Sequence, residues 1–198
     1  MPDGPLTLAG SFVRLVPAAL EHVEALSAVG LDPEIWRWMP GQVRDAAEMR
    51  AFIERALDDA RAGTAIPFTT LVHETGQPIG MTRFLNIARE HRRVEIGGTW
   101  IAPAWQRTRV NTEAKYLMLR HAFEAWDCVR VEFKTNALNH VSRAAILRLG
   151  ALEEGTLRQH WVNQDGTLRD SVYFSILNSE WPRVKSQLRA KLAPRAAS

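Results

Sequence analysis

The stretch from Glu95 to Asp127 reads EIGGTWIAPAWQRTRVNTEAKYLMLRHAFEAWD and decides the fold. Its first residues alternate as a strand that ends near Ile101, a polar loop follows, and a long helix runs from about Asn111 to Asp127. Gly97-Gly98 inside the strand is locally unfavourable and predicts a bulge or a close backbone approach. If no bulge intervenes, alternation puts Arg93, Glu95, Gly97 and Thr99 on one face and Val94, Ile96, Gly98 and Trp100 on the other. Asn111 is the expected N-cap of the helix, its side-chain oxygen accepting from the first turn. Glu113, Arg120, Glu124 and Asp127 form one polar stripe. Leu117, Met118, Leu119, Ala122, Phe123 and Trp126 cover the rest, so the helix is expected to be buried over most of its circumference against a sheet.

Upstream, Phe12–Val16 alternates as a first strand, and Leu20, Val23, Leu26 and Val29 recur at helical spacing. Asp32 to Gln42 is an aromatic-rich loop holding Trp36, Trp38 and Met39. A second helix fits Asp45 to Arg61, with Asp45 and Glu48 as a capping box. Phe68–His73 and Pro78–Ile87 form a hairpin around Gly76. Downstream come a strand at Arg130–Thr135 and a helix at about His140–Leu149, closed by Gly150. A last hairpin, Gly155–Val162 and Leu168–Ile176, turns at Asn163-Gln164-Asp165-Gly166. The order β, α, α, β, β, β, α, β, α, β, β specifies a mixed α/β (α+β) domain with a mostly antiparallel sheet. No internal repeat or linker divides it, so residues 1–198 are expected to be one domain with a mobile tail from about residue 190.

Bulk properties exclude several classes. A hydrophobic content of 46% fills an ordinary core, and 25 basic against 22 acidic residues leave a net charge of only +3. The basic pI, about 9.4, therefore gives little support to a nucleic-acid partner. Cys128 is the only cysteine, which excludes an intrachain disulfide and a cysteine-based metal site; no metal is expected. The N-terminus lacks a signal-peptide pattern and no apolar run is long enough to span a membrane, so a cytoplasmic protein with no membrane partner is expected.

A helix that emerges from a strand-loop points free N–H groups and the positive end of its dipole at that loop, and Arg107 and Arg109 add full charges. That arrangement suits a pyrophosphate; it also suits an ordinary β–α turn with two solvated arginines. The segment resembles the acyl-CoA-binding motif of the GNAT acetyltransferase superfamily, a Gln/Arg-x-x-Gly-x-Gly/Ala loop. Gln106 matches its first position, while Arg109 and Asn111 stand where the family has glycine and glycine or alanine. Asn111-Thr112-Glu113-Ala114-Lys115 and the later His121-Ala122-Phe123-Glu124 resemble the branch close to the ribosomal-protein N-terminal acetyltransferases. Asn139-His140-Val141-Ser142, followed by Leu149-Gly150-Ala151, is similar to the family's downstream Asn-x-x-Ser and Leu-Gly motif.

The resemblance implies a GNAT-like fold: a twisted sheet whose fourth and fifth strands splay apart, flanked by about four helices. It implies acetyl-CoA as cosubstrate, held by Ile101, Ala102, Gln106, Arg107, Thr108, Arg109, Val110, Asn111, Thr112, Asn139, Ser142 and Arg143. It also implies acetyl transfer to a primary amine of a protein N-terminus or small molecule, and a possible homodimer. Backbone N–H groups near Ile101 or Ala102 would meet the oxyanion. An amine is mostly protonated at neutral pH, so a base helps. Glu95 is the first candidate, with a strand-edge glutamate paired to an arginine as the alternative; His160 and His140 follow. The family's helix tyrosine is missing, since Tyr116 and Tyr173 lie elsewhere, and Ser142 is the candidate that stabilises the leaving thiolate. Trp36, Trp38, Met39 and His160 are the candidate acceptor contacts, with core packing the alternative for at least one tryptophan. The missing loop glycines and tyrosine leave open a non-catalytic acyl-CoA-binding or sensing module with the same fold.

Overall fold

Alternating apolar and polar residues build one eight-stranded sheet. The computed structural model describes residues 6–193. Its strands are β1 (Leu8–Ala9), β2 (Val13–Pro17), β3 (Ala65–Val72), β4 (Pro78–Ala88), β5 (Arg93–Ile101), β6 (Arg130–Asn136), β7 (Leu152–Val162) and β8 (Leu168–Leu177). Their spatial order is β1-β2-β3-β4-β5-β6-β8-β7. Every neighbouring pair is antiparallel except β5 and β6. Those two are parallel and meet only at Arg93–Arg130, Val94–Val131 and Glu95–Glu132. Beyond Glu95, β5 keeps its register with β4 alone and β6 keeps its register with β8 alone. The sheet therefore opens into a V at the two strands expected to splay, renumbered because the two-residue β1 precedes them.

The helices are α1 (Val23–Gly30), α2 (Pro33–Trp36), α3 (Ala46–Arg61), α4 (Arg109–Arg120), α5 (His140–Leu149) and α6 (Trp181–Leu192). Val94, Ile96, Val131, Phe133, Val172 and Phe174 share a core with α4, α5 and α6. Met81 and Trp100 share a second core with α1, α2 and α3. The sheet thus has a helical layer on each face. Among the described residues six helices replace the expected four or so. The aromatic-rich loop contains the short α2, capped by the Asp32 carboxylate. The unexpected α6 buries Trp181, Val184 and Leu188, a sparse apolar stripe on an otherwise basic segment. It also reaches Leu192, into the segment expected to be a mobile tail; residues 194–198 lie outside the described residues.

The bulge predicted at Gly97-Gly98 is present. Met81 pairs with Trp100 and Arg83 with Gly97, so Gly98 and Thr99 both oppose Thr82. Gly98 takes φ +56, and a Cβ there would strike the Arg83 side chain at 2.5 Å. The extra residue flips the alternation. Thr99 bonds Lys115 of α4, and Trp100 packs among α1, α2 and α3. Strict alternation had assigned each of them to the opposite face.

Three features of the long helix differ from expectation. It starts at Arg109, with Thr108 rather than Asn111 as N-cap; the Thr108 hydroxyl accepts from the Val110 N–H at 3.3 Å. Regular α geometry ends at Arg120, and His121–Ala125 widens into a π turn in which Trp126 N–H reaches the His121 carbonyl. Glu113 also leaves the expected polar stripe, because it is buried against the start of β2. The other caps follow the sequence: Asp45 caps α3, Asn139 caps α5, and Gly150 ends α5 in the left-handed region.

Candidate active site

The mouth of the V lies between β5 and β6. On the β5 side, the Ala102 N–H donates to the Ile79 carbonyl at 2.8 Å and is not free to meet an oxyanion. In an antiparallel ladder successive N–H groups point to opposite edges, so the neighbouring Ile101 N–H faces the gap left by β6. Its carbonyl accepts from Gln106 Nε2 at 3.0 Å, which ties the loop back to the strand end. Arg107 takes φ +61, so the left-handed turn falls on an arginine two positions before the family's first glycine. The exposed Gln106, Arg107 and Thr108 lead into α4. Among the first N–H groups of α4, Thr108 satisfies that of Val110; those of Thr108, Arg109 and Asn111 have no intrahelical carbonyl. Arg109 lies over the Phe12 ring at 5.4 Å. Thr112 is buried, and the Asn111 side-chain oxygen is buried with no partner among the described residues. Free N–H donors and the two nearby arginines, Arg107 and Arg109, fit an anionic nucleotide such as CoA.

Glu95 occupies the apex of the V, the last β5 residue in register with β6. It is 2% exposed. Its Oε2 accepts from Asn86 Nδ2 at 2.7 Å and lies 3.4 Å from Lys134 Nζ on β6. Lys134 in turn sits 5.2 Å from the Trp161 ring and 5.7 Å from the Tyr173 ring. Between Leu157 and Trp161 the register of β7 slips, with Gln159 in the left-handed region and its N–H on the Asp170 carboxylate. This bulge brings His160 to 5.7 Å from Tyr173, half-buried, with Nδ1 unpartnered among the described residues. Burial lowers the His160 pKa, as do Lys134 and Arg169, against the pull of Glu95. Burial, then the Glu95 charge, raises that of Tyr173. An open groove of about 580 Å³ adjoins this apex, lined by Asn86, Arg93, Glu132 and Tyr173 among others.

The remaining expected residues divide. Trp36 belongs to the core: it is 1% exposed, its indole N–H donates to the Gly30 carbonyl, and it packs on Phe52 and Trp100. Trp38 and Met39 are half-buried, and the Trp38 carbonyl accepts from Arg169. The Asn139 carboxamide oxygen accepts from the Ser142 N–H at 2.9 Å, so Asn139 is a cap; Ser142 stands half-buried in the first turn of α5. Arg143, expected to contact acetyl-CoA, donates to the Ala137 carbonyl and pairs with Glu153. His140 is exposed.

Asn86, Lys134, Tyr173 and Arg169 escaped the sequence reading. Polar residues at alternate positions of β6 and β8 were the available signal, but only register unites them: Lys134 pairs with Tyr173, and Arg169 with Trp161. Lys115 was missed too. It is fully enclosed, donates to Thr82 at 2.8 Å and Thr99 at 2.5 Å, and burial lowers its pKa to about 7.

Comparison with known proteins agrees with this geometry. The model of the acetyltransferase (GNAT) domain family matches residues 13–152. The uncharacterized N-acetyltransferase p20 of Bacillus licheniformis is 29% identical over 163 residues, covering 82% of this chain and 90% of p20. YdaF of Bacillus subtilis, provisionally named a ribosomal N-acetyltransferase, is 36% identical over 107 residues, or 54% of this chain and 57% of YdaF. That match spans little more than half of YdaF's length. Among solved structures, a GCN5-related N-acetyltransferase from Brucella melitensis has a TM-score of 0.90 at 28% identity, covering 98% of this chain and 89% of that one. Mycobacterium smegmatis RimJ, in complex with CoA-disulfide, has a TM-score of 0.77 at 26% identity, covering 95% and 93%. These relatives are named as transferases, which disfavours a non-catalytic binding module. A sheet split between a parallel pair, a helix N-terminus at its mouth and a family match over most of the length converge: the chain belongs to the GNAT family of acetyl-CoA-dependent N-acetyltransferases.

Proposed function

We propose that this acetyltransferase uses Glu95 as general base toward a primary amine, of a protein N-terminus or a small molecule, bound in the cleft between β5 and β6. The observation that carries the reading is the position of Glu95: buried, at the apex of the V, with side-chain partners only. Acetyl-CoA supplies the acetyl group as a thioester. The α4 N-terminus with Gln106, Arg107, Thr108 and Arg109 would hold its pyrophosphate, and the Ile101 N–H would meet the carbonyl oxygen as it gains charge. The C–N bond forms as the C–S bond breaks. Glu95 takes the amine proton, directly or through water, and Ser142 hydrogen-bonds the departing thiolate. His160, Trp38 and Met39 line the acceptor side.

An amine screen that reads CoA release, run on wild type and Glu95→Gln, tests the assignment. A thermal shift with acetyl-CoA tests cofactor binding, and no shift at millimolar ligand overturns it.

We also propose a cytoplasmic protein with neither a membrane nor a nucleic-acid partner. Among the described residues no helix is long and apolar enough to cross a membrane. A homodimer through β7 is proposed on the exposure of Leu152, Leu157 and Val162 along that edge strand. A monomeric mass by light scattering removes it.

A further inference from the structure

Among the described residues, Arg169 is a buried cation with no ion-pair partner. It lies on β8 and is 8% exposed. Val172, Phe174 and Ile176 point into the core under α4, α5 and α6, so alternation turns Arg169, Ser171 and Tyr173 to the opposite face, the side of Glu95. One guanidinium nitrogen donates to the Trp38 carbonyl at 3.2 Å. Its Nε is buried with no partner, and no carboxylate among the described residues forms an ion pair with it. Glu95 is the acidic group whose field reaches it, and Glu95 already pairs with Lys134.

The surroundings repeat the deficit. The Ser171 hydroxyl is fully buried and the His160 Nδ1 is buried, and neither has a hydrogen-bond partner among the described residues. Both flank Tyr173, His160 by ring contact and Ser171 two residues along the strand. Other cations around the cleft are matched, Arg93 with Glu132 and Arg83 with Asp59. One positive charge is therefore left in excess, together with orphaned polar groups. An unpaired buried charge opposes folding, and an apolar residue would remove that cost. Buried unsatisfied groups in a cleft are relieved by a ligand that supplies their partners.

We propose that Arg169, with Ser171 and His160 beside it, forms an anion subsite in the acceptor cleft, and that the preferred acceptor is an amine bearing a carboxylate. A planar guanidinium matches a carboxylate in a two-pronged contact, and the hydroxyl and imidazole supply further hydrogen bonds. The acceptor then bridges the site, with its amine toward Glu95 and its carboxylate toward Arg169. The inference rests on the acetyl-transfer reading of the same cleft.

The test is a set of matched acceptors: α-amino acids, β-alanine and γ-aminobutyrate, each against its carboxamide, with kcat/KM read from CoA release. Wild type is expected to prefer the acid over the amide for at least one spacing. R169Q is expected to lower that acid-to-amide ratio about 30-fold, with R169K in between. Intrinsic differences in amine basicity cancel when the ratio is compared between proteins. No acid preference at any spacing in wild type, or an unchanged ratio in R169Q, overturns the proposal. If R169Q does not fold, S171A and R169K report on the same ratio. Turnover of amides without acid preference refutes the subsite alone, whereas no turnover of any amine and no acetyl-CoA thermal shift refute the acetyl-transfer reading itself.

Discussion

Glu95 and Glu113 are equally deep carboxylates with opposite surroundings. Glu113, 4% exposed on α4, accepts from the backbone N–H groups of Ser11, Phe12 and Val13 at 2.8, 2.6 and 2.8 Å. The chain passes so close that a Cβ on Gly10 would meet the carboxylate at 2.4 Å. Glu95, 2% exposed, has instead a carboxamide and an ammonium, from β4 and from the diverging β6. Burial does not separate the two. Backbone donors are held by the fold and make Glu113 a structural clasp, whereas side-chain partners at a cleft can rearrange around a reacting amine.

Glu113→Ala leaves three N–H groups without their acceptor and is expected to cost about 4 kcal/mol, or about 10 °C in melting midpoint, with little change in turnover per folded molecule. Lost turnover at unchanged stability would reverse the contrast. Glu95→Gln, next in size, is expected to lower kcat about 100-fold, or about 2.7 kcal/mol of barrier, and to shift the melting midpoint by less than about 2 °C. Wild-type kcat in that variant refutes the base assignment.

Two lysines sharpen the same point. Lys134 has a carboxylate partner, while among the described residues Lys115 has only the hydroxyls of Thr82 and Thr99. With burial lowering the folded pKa to about 7, the unfolded chain binds more protons than the folded one between there and about 10.4. Stability should therefore rise with pH across that window, by up to about 1.4 kcal/mol per unit from this group. Denaturant midpoints from mildly acidic to alkaline pH should show the rise in wild type and a flatter profile in Lys115→Met. The smallest effect belongs to Ser142→Ala, about tenfold in kcat for one lost hydrogen bond to a charged sulfur. Full turnover at saturating substrate removes Ser142 from the reaction.

Much of the frame was legible in the sequence. Every strand but the two-residue β1, four of the six helices, the Asp45, Asn139 and Gly150 caps and the Gly97-Gly98 bulge follow from residue type and spacing. The Glu95 to Asp127 segment reads as a strand, a loop and a helix, as the structure has it, although the helix cap moves to Thr108. The site was less legible. Trp36, expected at the acceptor, is core because its indole N–H finds the Gly30 carbonyl. Ala102 loses its expected N–H to Ile79. Lys115 reads as an ordinary solvated helix lysine until the bulge turns Thr99 toward it.

Sequence alone determined the local elements and the family's order of them, because alternation, helical spacing and glycine punctuation act between near neighbours in the chain. Tertiary structure decided which polar residues share the cleft. Glu95, Lys134, Tyr173, His160 and Arg169 come from four strands, and a one-residue change of register or a single bulge would turn any of them to the other face.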